Sequence, residues 1–120
     1  MSREFLDFVE DILDAMDKAE LLLEGVSYSQ FETDFRINFA VVRALEIIGE
    51  AAKRLPEELR RRNPDIPWKG MAGMRDRIIH GYDNVDYQIV WEVVKRDIPQ
   101  IRPKLEQILI EYGEETGSDR

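Results

Sequence analysis

The strongest constraint on this chain is a helical apolar rhythm that occupies two faces of one segment. Between Asp34 and Leu55, one stripe runs through Phe35, Phe39, Val42, Leu45, Gly49 and Ala52, and another through Ile37, Val41, Ala44, Ile48 and Ala51. A helix apolar on two faces is buried on two sides, at the centre of a bundle or in a dimer interface. Arg43, Glu46 and Glu50 recur there at a spacing suited to intrahelical ion pairs.

The remaining segments read as partners for that helix. From Arg3 to about Glu24, Phe5, Val9, Ile12, Met16, Ala19 and Leu23 form one stripe, while Asp7, Asp11, Asp14 and Lys18 occupy another face; Gly25 is the stop. Ser27–Thr33 reads as a connection, with Ser29-x-x-Glu32 as a capping box. Pro56 restarts a helix with acids in its first turn and Arg60-Arg61-Arg62 in its last. After the Asn63–Pro67 loop, a fourth helix is expected from Trp68 to about His80, stopped by Gly81.

The loop Tyr82–Val85 leads to Asp86, which can cap a last helix carrying Ile89, Val90, Val93 and Val94. Pro99 and Pro103 predict a kink or break near Asp97-Ile98-Pro99. Helix resumes through Leu105, Ile108 and Leu109. Strand-like alternation is missing, so the expected fold is all-α, an up-and-down bundle of four to five helices. The expected boundaries are one domain over 1–112 and a frayed tail over 113–120.

Composition removes several function classes. A chain of 120 residues with 43% hydrophobic and 35% charged residues can bury one core. It has no cysteine, which excludes disulfides, thiolate metal sites and cysteine nucleophiles and points to a reducing cytoplasm. The acidic start, Met1-Ser2-Arg3-Glu4-Phe5, does not read as a signal peptide, and no apolar run approaches the ~20 residues of a membrane span.

Net charge is −8, which argues against broad polyanion binding, but it is unevenly distributed. Residues 1–52 carry 4 basic and 12 acidic groups, residues 53–77 carry 8 and 4, and residues 78–120 carry 5 and 9. The positive stretch leads into Arg75-Asp76-Arg77-Ile78-Ile79-His80-Gly81-Tyr82. It reads either as a solvated helix end or as a local rim for a phosphodiester.

That eight-residue segment is where chemistry is expected. His80 is the sole histidine, placed by this reading at a helix C-terminus whose dipole favours the imidazolium. Asp76, four residues earlier on the same helical face, can orient the ring for acid–base work. Arg75 offers a planar guanidinium fork for phosphate oxygens. On a continuous helix it lies ~7.5 Å along the axis from His80 but is rotated by roughly 140°. Tyr82 adds a phenol beyond the flexible Gly81. The competing reading is an Arg–Asp ion pair at a helix end with a buried tyrosine.

Cleaving RNA without metal needs a base for the 2′-hydroxyl and an acid for the leaving 5′-oxygen. One histidine supplies one such group, so a two-fold dimer that brings two copies of Arg75 and His80 to a shared cleft is expected. The acidic face Asp7, Glu10, Asp11, Asp14 and Asp17 lacks the ligand spacing of a cation loop and reads as solvated; no metal and no other cofactor are expected. Gly70-x-x-Gly73 is followed by Met74, not by lysine and a hydroxyl residue, so it is no phosphate loop.

Arg75-x4-His80-x-Tyr82 resembles the R-x4-H-x-Y motif of the HepT-like toxins, in the HEPN superfamily of helical ribonucleases. The resemblance extends through Arg43–Lys53 with its Gly49-Glu50-Ala51-Ala52 block, Ile66-Pro67-Trp68, Gly73-Met74-Arg75 and Val85–Trp91. It implies a HEPN-like homodimer with a composite cleft and metal-independent RNA cleavage leaving a 2′,3′-cyclic phosphate. It also implies a nucleotidyltransferase antitoxin that attaches AMP to the motif tyrosine, here Tyr82. Bulk and negative charge on that phenol would repel RNA from His80 and Arg75. Asp76 departs from the asparagine common at its position, and a carboxylate there lowers the local positive charge. An alternative function is a non-catalytic helical dimer that binds nucleotide or docks a nucleotidyltransferase.

Overall fold

The computed structural model describes residues 4–117, with side chains through 113. Its central element is α3 (Phe35–Lys53), against which α1 (Glu4–Leu23), α2 (Tyr28–Thr33), α5 (Trp68–Ala72), α6 (Met74–Ile78) and α7 (Tyr87–Glu92) all pack. The last long element, α8 (Ile98–Gly117), lies against α1. The fold is all-α, as the periodicity requires. Both apolar stripes of α3 are used within the chain: Val41, Leu45, Ile48 and Ala52 are fully buried, and so are Val9, Ile12 and Ala19 of α1. Phe35 and Phe39 are the exceptions, 66% and 69% exposed at the start of the helix.

Polar groups fix the ends. Gly25 at φ 72° ends α1, and Lys95 Nζ donates to the Leu23 carbonyl at 3.4 Å while lying 5.0 Å from the centre of the Trp91 ring. Asp34 caps α3 by accepting from the Arg36 N–H at 3.0 Å. The buried Asn38 donates to the carbonyls of Phe31 and Glu32, tying the end of α2 to α3. Arg60 of α4 (Glu57–Arg62) donates to the Ala52 carbonyl at 2.7 Å and so closes the other end of α3. Arg102 bridges α8 to Asp17 and Glu20 of α1.

Several local expectations shift. The capping box belongs to Ser27 and Gln30, not to Ser29 and Glu32: Ser27 Oγ accepts from the Gln30 N–H, and Gln30 Oε1 from the Ser27 N–H. Within α3 the ion pair formed is Lys53–Glu50 at 3.4 Å, while Arg43 has no acidic partner among the described residues. The helix expected over Trp68–His80 is two short ones divided at Gly73, and it ends at Ile78. The irregularity expected near Asp97-Ile98-Pro99 is present, but as a change of winding and not as a break. Val93–Asp97 forms a π turn in which the Ile98 N–H reaches the Val93 carbonyl five residues back, and helix continues without a gap through the proline. Helix extends to Gly117; the rest of the expected frayed tail, 118–120, lies outside the described residues.

Candidate functional site

The site is built on a short arm. α6 buries Met74 and Ile78, one turn apart, which leaves Arg75, Asp76 and Arg77 on its exposed side. Its seat on α3 depends on Gly49: a Cβ there would lie 3.1 Å from the Met71 carbonyl oxygen and 3.2 Å from Met74 Cβ. Arg77 faces Asp97 of the π turn at 3.8 Å.

Ile79, at φ −119° and ψ 120°, leaves the helix and forms an antiparallel bridge with Val85. The Asp86 N–H donates to the Ile78 carbonyl at 2.8 Å, and the His80 N–H donates to the Asn84 carbonyl at 2.7 Å. Inside these bonds Gly81–Asn84 is a tight turn, closed by the Asn84 N–H on the Gly81 carbonyl at 3.3 Å. Gly81 sits at φ 132°, a region that an L side chain adopts only under strain. Asp86 then caps α7 by accepting from the Ile89 N–H.

The result is a hairpin-like loop with Tyr82 near its tip, 100% exposed. His80 is exposed too, and this revises two geometric expectations. It lies beyond α6, so it is not at a helix end, where dipole effects act within the last turn. Asp76 and His80 are not on one helical face, and Asp76 forms no ion pair with His80 or Arg75 among the described residues. A buried tyrosine is ruled out by its exposure. Arg75, His80 and Tyr82 have no side-chain hydrogen bond or ion pair among the described residues, so an imidazole, a guanidinium and a phenol are open to a ligand along one short segment.

The basic stretch divides. Arg60 caps α3, Arg62 lies 5.3 Å from the centre of the Tyr112 ring, and Arg54 lies 5.8 Å from that of Phe8. Those three are structural cations. Arg61, Lys69 and Arg75 are without acidic partners among the described residues. No group of three or more His, Cys, Asp or Glu residues there is placed to hold a metal ion.

Asn84 is the residue of the arm that periodicity does not single out, whereas Gly49 of α3 entered only as a member of an apolar stripe and not as the seat of α6. Asn84 did carry a signal, since Gly81-Tyr82-Asp83-Asn84 is turn chemistry flanked by the β-branched Ile79 and Val85.

An all-α bundle with an exposed Arg–His–Tyr arm defines a class of small helical proteins, and comparison with known proteins names the family. The model of the family described as Ribonuclease HepT-like matches residues 12–108. A Thermococcus cleftensis protein named "Probable ribonuclease HepT" is 44% identical over 108 residues, covering 90% of this chain and 98% of that protein. "Putative RNase MJ1216" of Methanocaldococcus jannaschii is 44% identical over 107 residues, 89% of this chain and 88% of the relative. "Putative RNase TTE0752" of Caldanaerobacter subterraneus subsp. tengcongensis is 43% identical over 105 residues, 85% and 91%. No solved structure matches. This chain belongs to the ribonuclease HepT-like family.

Proposed function

We propose that this protein is a metal-independent endoribonuclease and the toxin of a toxin–antitoxin pair. The observation that carries the reading is the open Arg75–Tyr82 segment on a chain of this family. In the reaction a base takes the proton of an RNA 2′-hydroxyl and the freed oxygen attacks the adjacent phosphorus. The bond to the 5′-oxygen breaks, and an acid returns a proton to that oxygen. The products are a 2′,3′-cyclic phosphate and a 5′-hydroxyl. His80 is the acid–base group and Arg75 holds the phosphate. Asp76 supports the pair by tuning local charge.

One histidine cannot readily take both proton-transfer roles, so a second copy of the segment, supplied by a homodimer, completes the cleft. Tyr82 is the regulatory residue. Its exposed phenol can enter the active site of a nucleotidyltransferase antitoxin, and AMP attached there adds bulk and negative charge beside His80. The domain is assigned to 1–112 and the location to the cytoplasm, in line with a cysteine-free chain.

Cleavage of RNA in excess EDTA by the wild-type protein, lost by at least two orders of magnitude in His80→Ala, is the expected result. Unchanged cleavage by His80→Ala, or dependence on a divalent ion, overturns the mechanism. Co-expression with a nucleotidyltransferase should add AMP units to the intact mass, and Tyr82→Phe should remove them. The net charge of −8 and the unpaired carboxylate of Asp76 favour a second reading, a non-catalytic dimer that binds nucleotide or docks the transferase. Nucleotide binding without cleavage of any RNA would select it.

A further inference from the structure

Most aromatic residues of this chain are used internally. Phe31 packs against Tyr28, Tyr87 and Trp91, and Phe5 against Tyr112. Among the described residues, only Phe35, Phe39 and Tyr82 are aromatics more than half exposed. Phe35 and Phe39 stand one turn apart on α3 with ring centroids 6.1 Å apart at an interplanar angle of 70°. Arg43 continues the same stripe one turn further, exposed and without an acidic partner among the described residues. Arg36 beside the pair is held by both carboxylate oxygens of Asp34.

The stripe also has a direction. Gly49, where α6 is seated, lies within about a quarter turn of Phe35 and Phe39 round α3, but about a third of a turn round and about 9 Å along the axis from Arg43. The open rings thus lie on the flank of α3 nearer the arm that bears Arg75, while Arg43 lies further round, toward Phe8 and Asp11 of α1.

We propose that Phe35 and Phe39 form a stacking platform for unpaired bases of a single-stranded RNA, with Arg43 on its backbone, extending the cleft at Arg75 and His80. This rests on the ribonuclease reading for the identity of the ligand. Single strands are held by aromatic faces on which bases stack together with cations along the backbone, and two rings followed by a guanidinium supply that combination. A second copy of the chain fits this patch less well. Two phenylalanine rings about two-thirds exposed offer roughly 200–300 Å², against about 800 Å² per partner in a stable interface. The patch is also rimmed by Arg36, Arg43 and Glu32, whereas interface cores are depleted in charge.

The test uses the full-length protein and a fluorescein-labelled single-stranded RNA with 2′-O-methyl groups, which cannot be cleaved by 2′-oxygen attack. Phe39→Ala should weaken binding roughly 5- to 100-fold, and Phe39→Leu should weaken it comparably, because it keeps an apolar side chain but removes the ring. Phe39→Trp should retain affinity, and the fluorescence of the new indole should be quenched on RNA binding. Arg43→Gln should weaken binding to every sequence and lower the salt slope by about one. Both phenylalanines are exposed, so the variants should match wild type in circular dichroism and in sedimentation.

Affinity of Phe39→Leu equal to wild type overturns the platform, and so does a drop in molecular mass that accounts for the lost binding. Wild-type protein that binds the oligonucleotide through Phe39 but cleaves no RNA overturns the ribonuclease reading and leaves the platform standing. Cleavage unaffected by Phe35→Ala/Phe39→Ala does the reverse.

Discussion

Replacing Gly49 by alanine tests how the arm is seated. The new methyl carbon would sit 3.1 Å from the backbone oxygen of Met71 and 3.2 Å from Met74 Cβ, against ordinary contacts of about 3.5–4.0 Å. Neither neighbour can swing aside as a long side chain would, so α5 and α6 must move away by a few tenths of an ångström. Overpacking of this kind costs about 1–3 kcal/mol. Alanine in place of glycine inside a helix returns about 1 kcal/mol. The net is a destabilisation of about 1 kcal/mol, or a melting temperature lower by roughly 4 °C in a domain of this size.

Gly70 provides the control, because a Cβ there meets nothing within 4 Å. Gly70→Ala should keep only the helix gain and raise the melting temperature by about 4 °C. Thermal and urea unfolding of both variants, read by circular dichroism, therefore carry a predicted difference of sign. If Gly49→Ala is as stable as Gly70→Ala, close approach of α3 to α6 is not what the glycine provides.

The other expectations concern the loop and the caps. Gly81→Ala should destabilise the protein by about 1–3 kcal/mol in urea unfolding, since its φ of 132° is strained for any side chain. Asn38→Ala should cost on the order of 2 kcal/mol in the same assay, because the carbonyls of Phe31 and Glu32 lose their buried donor. The Asp34 carboxyl lies below the usual carboxylate range, first through its side-chain bond to Arg36 and then through the Arg36 backbone N–H. A depressed value in the folded state stabilises above the unfolded value and is lost as pH falls through the folded one. The stability gap between wild type and Asp34→Asn should accordingly be full above about pH 4 and close on further acidification.

Where sequence reasoning succeeded, the deciding physics was local. The steps of α1, the double stripe of α3, and Asp86 as a cap depend on residues within a turn or two of each other. The helix expected through His80 failed because a distant pairing decides it. Ile79 gives up its helical conformation to bridge Val85, and the Ile78 carbonyl takes its partner from Asp86, eight residues on. Phe35 and Phe39 carried the periodicity of buried residues yet face outward, since periodicity identifies a face and not what covers it. For the candidate site, the presentation of the residues differs from the one expected. Arg75, Asp76, His80 and Tyr82 are all exposed, on a helix and a hairpin instead of one helix end.

The π turn at Val93–Asp97 has a consequence for phase. A helix is a periodic object, and one residue wound into a wider turn delays everything downstream by about 100°. Here the delay comes between Val93 and Val94, which are buried, and Ile98 and Ile101, which are buried again. Deleting one residue would let the turn rewind as α-helix and leave α8 in register, whereas rewinding it at full length would rotate α8 by about 100°, turning Leu105 and Ile108 toward water or dragging α7 and the Tyr82 loop round with it. The rod formed by α7, the π turn and α8 thus transmits angle as well as position. A change of winding at Asp97 would be felt at Arg77, on the helix that carries Arg75.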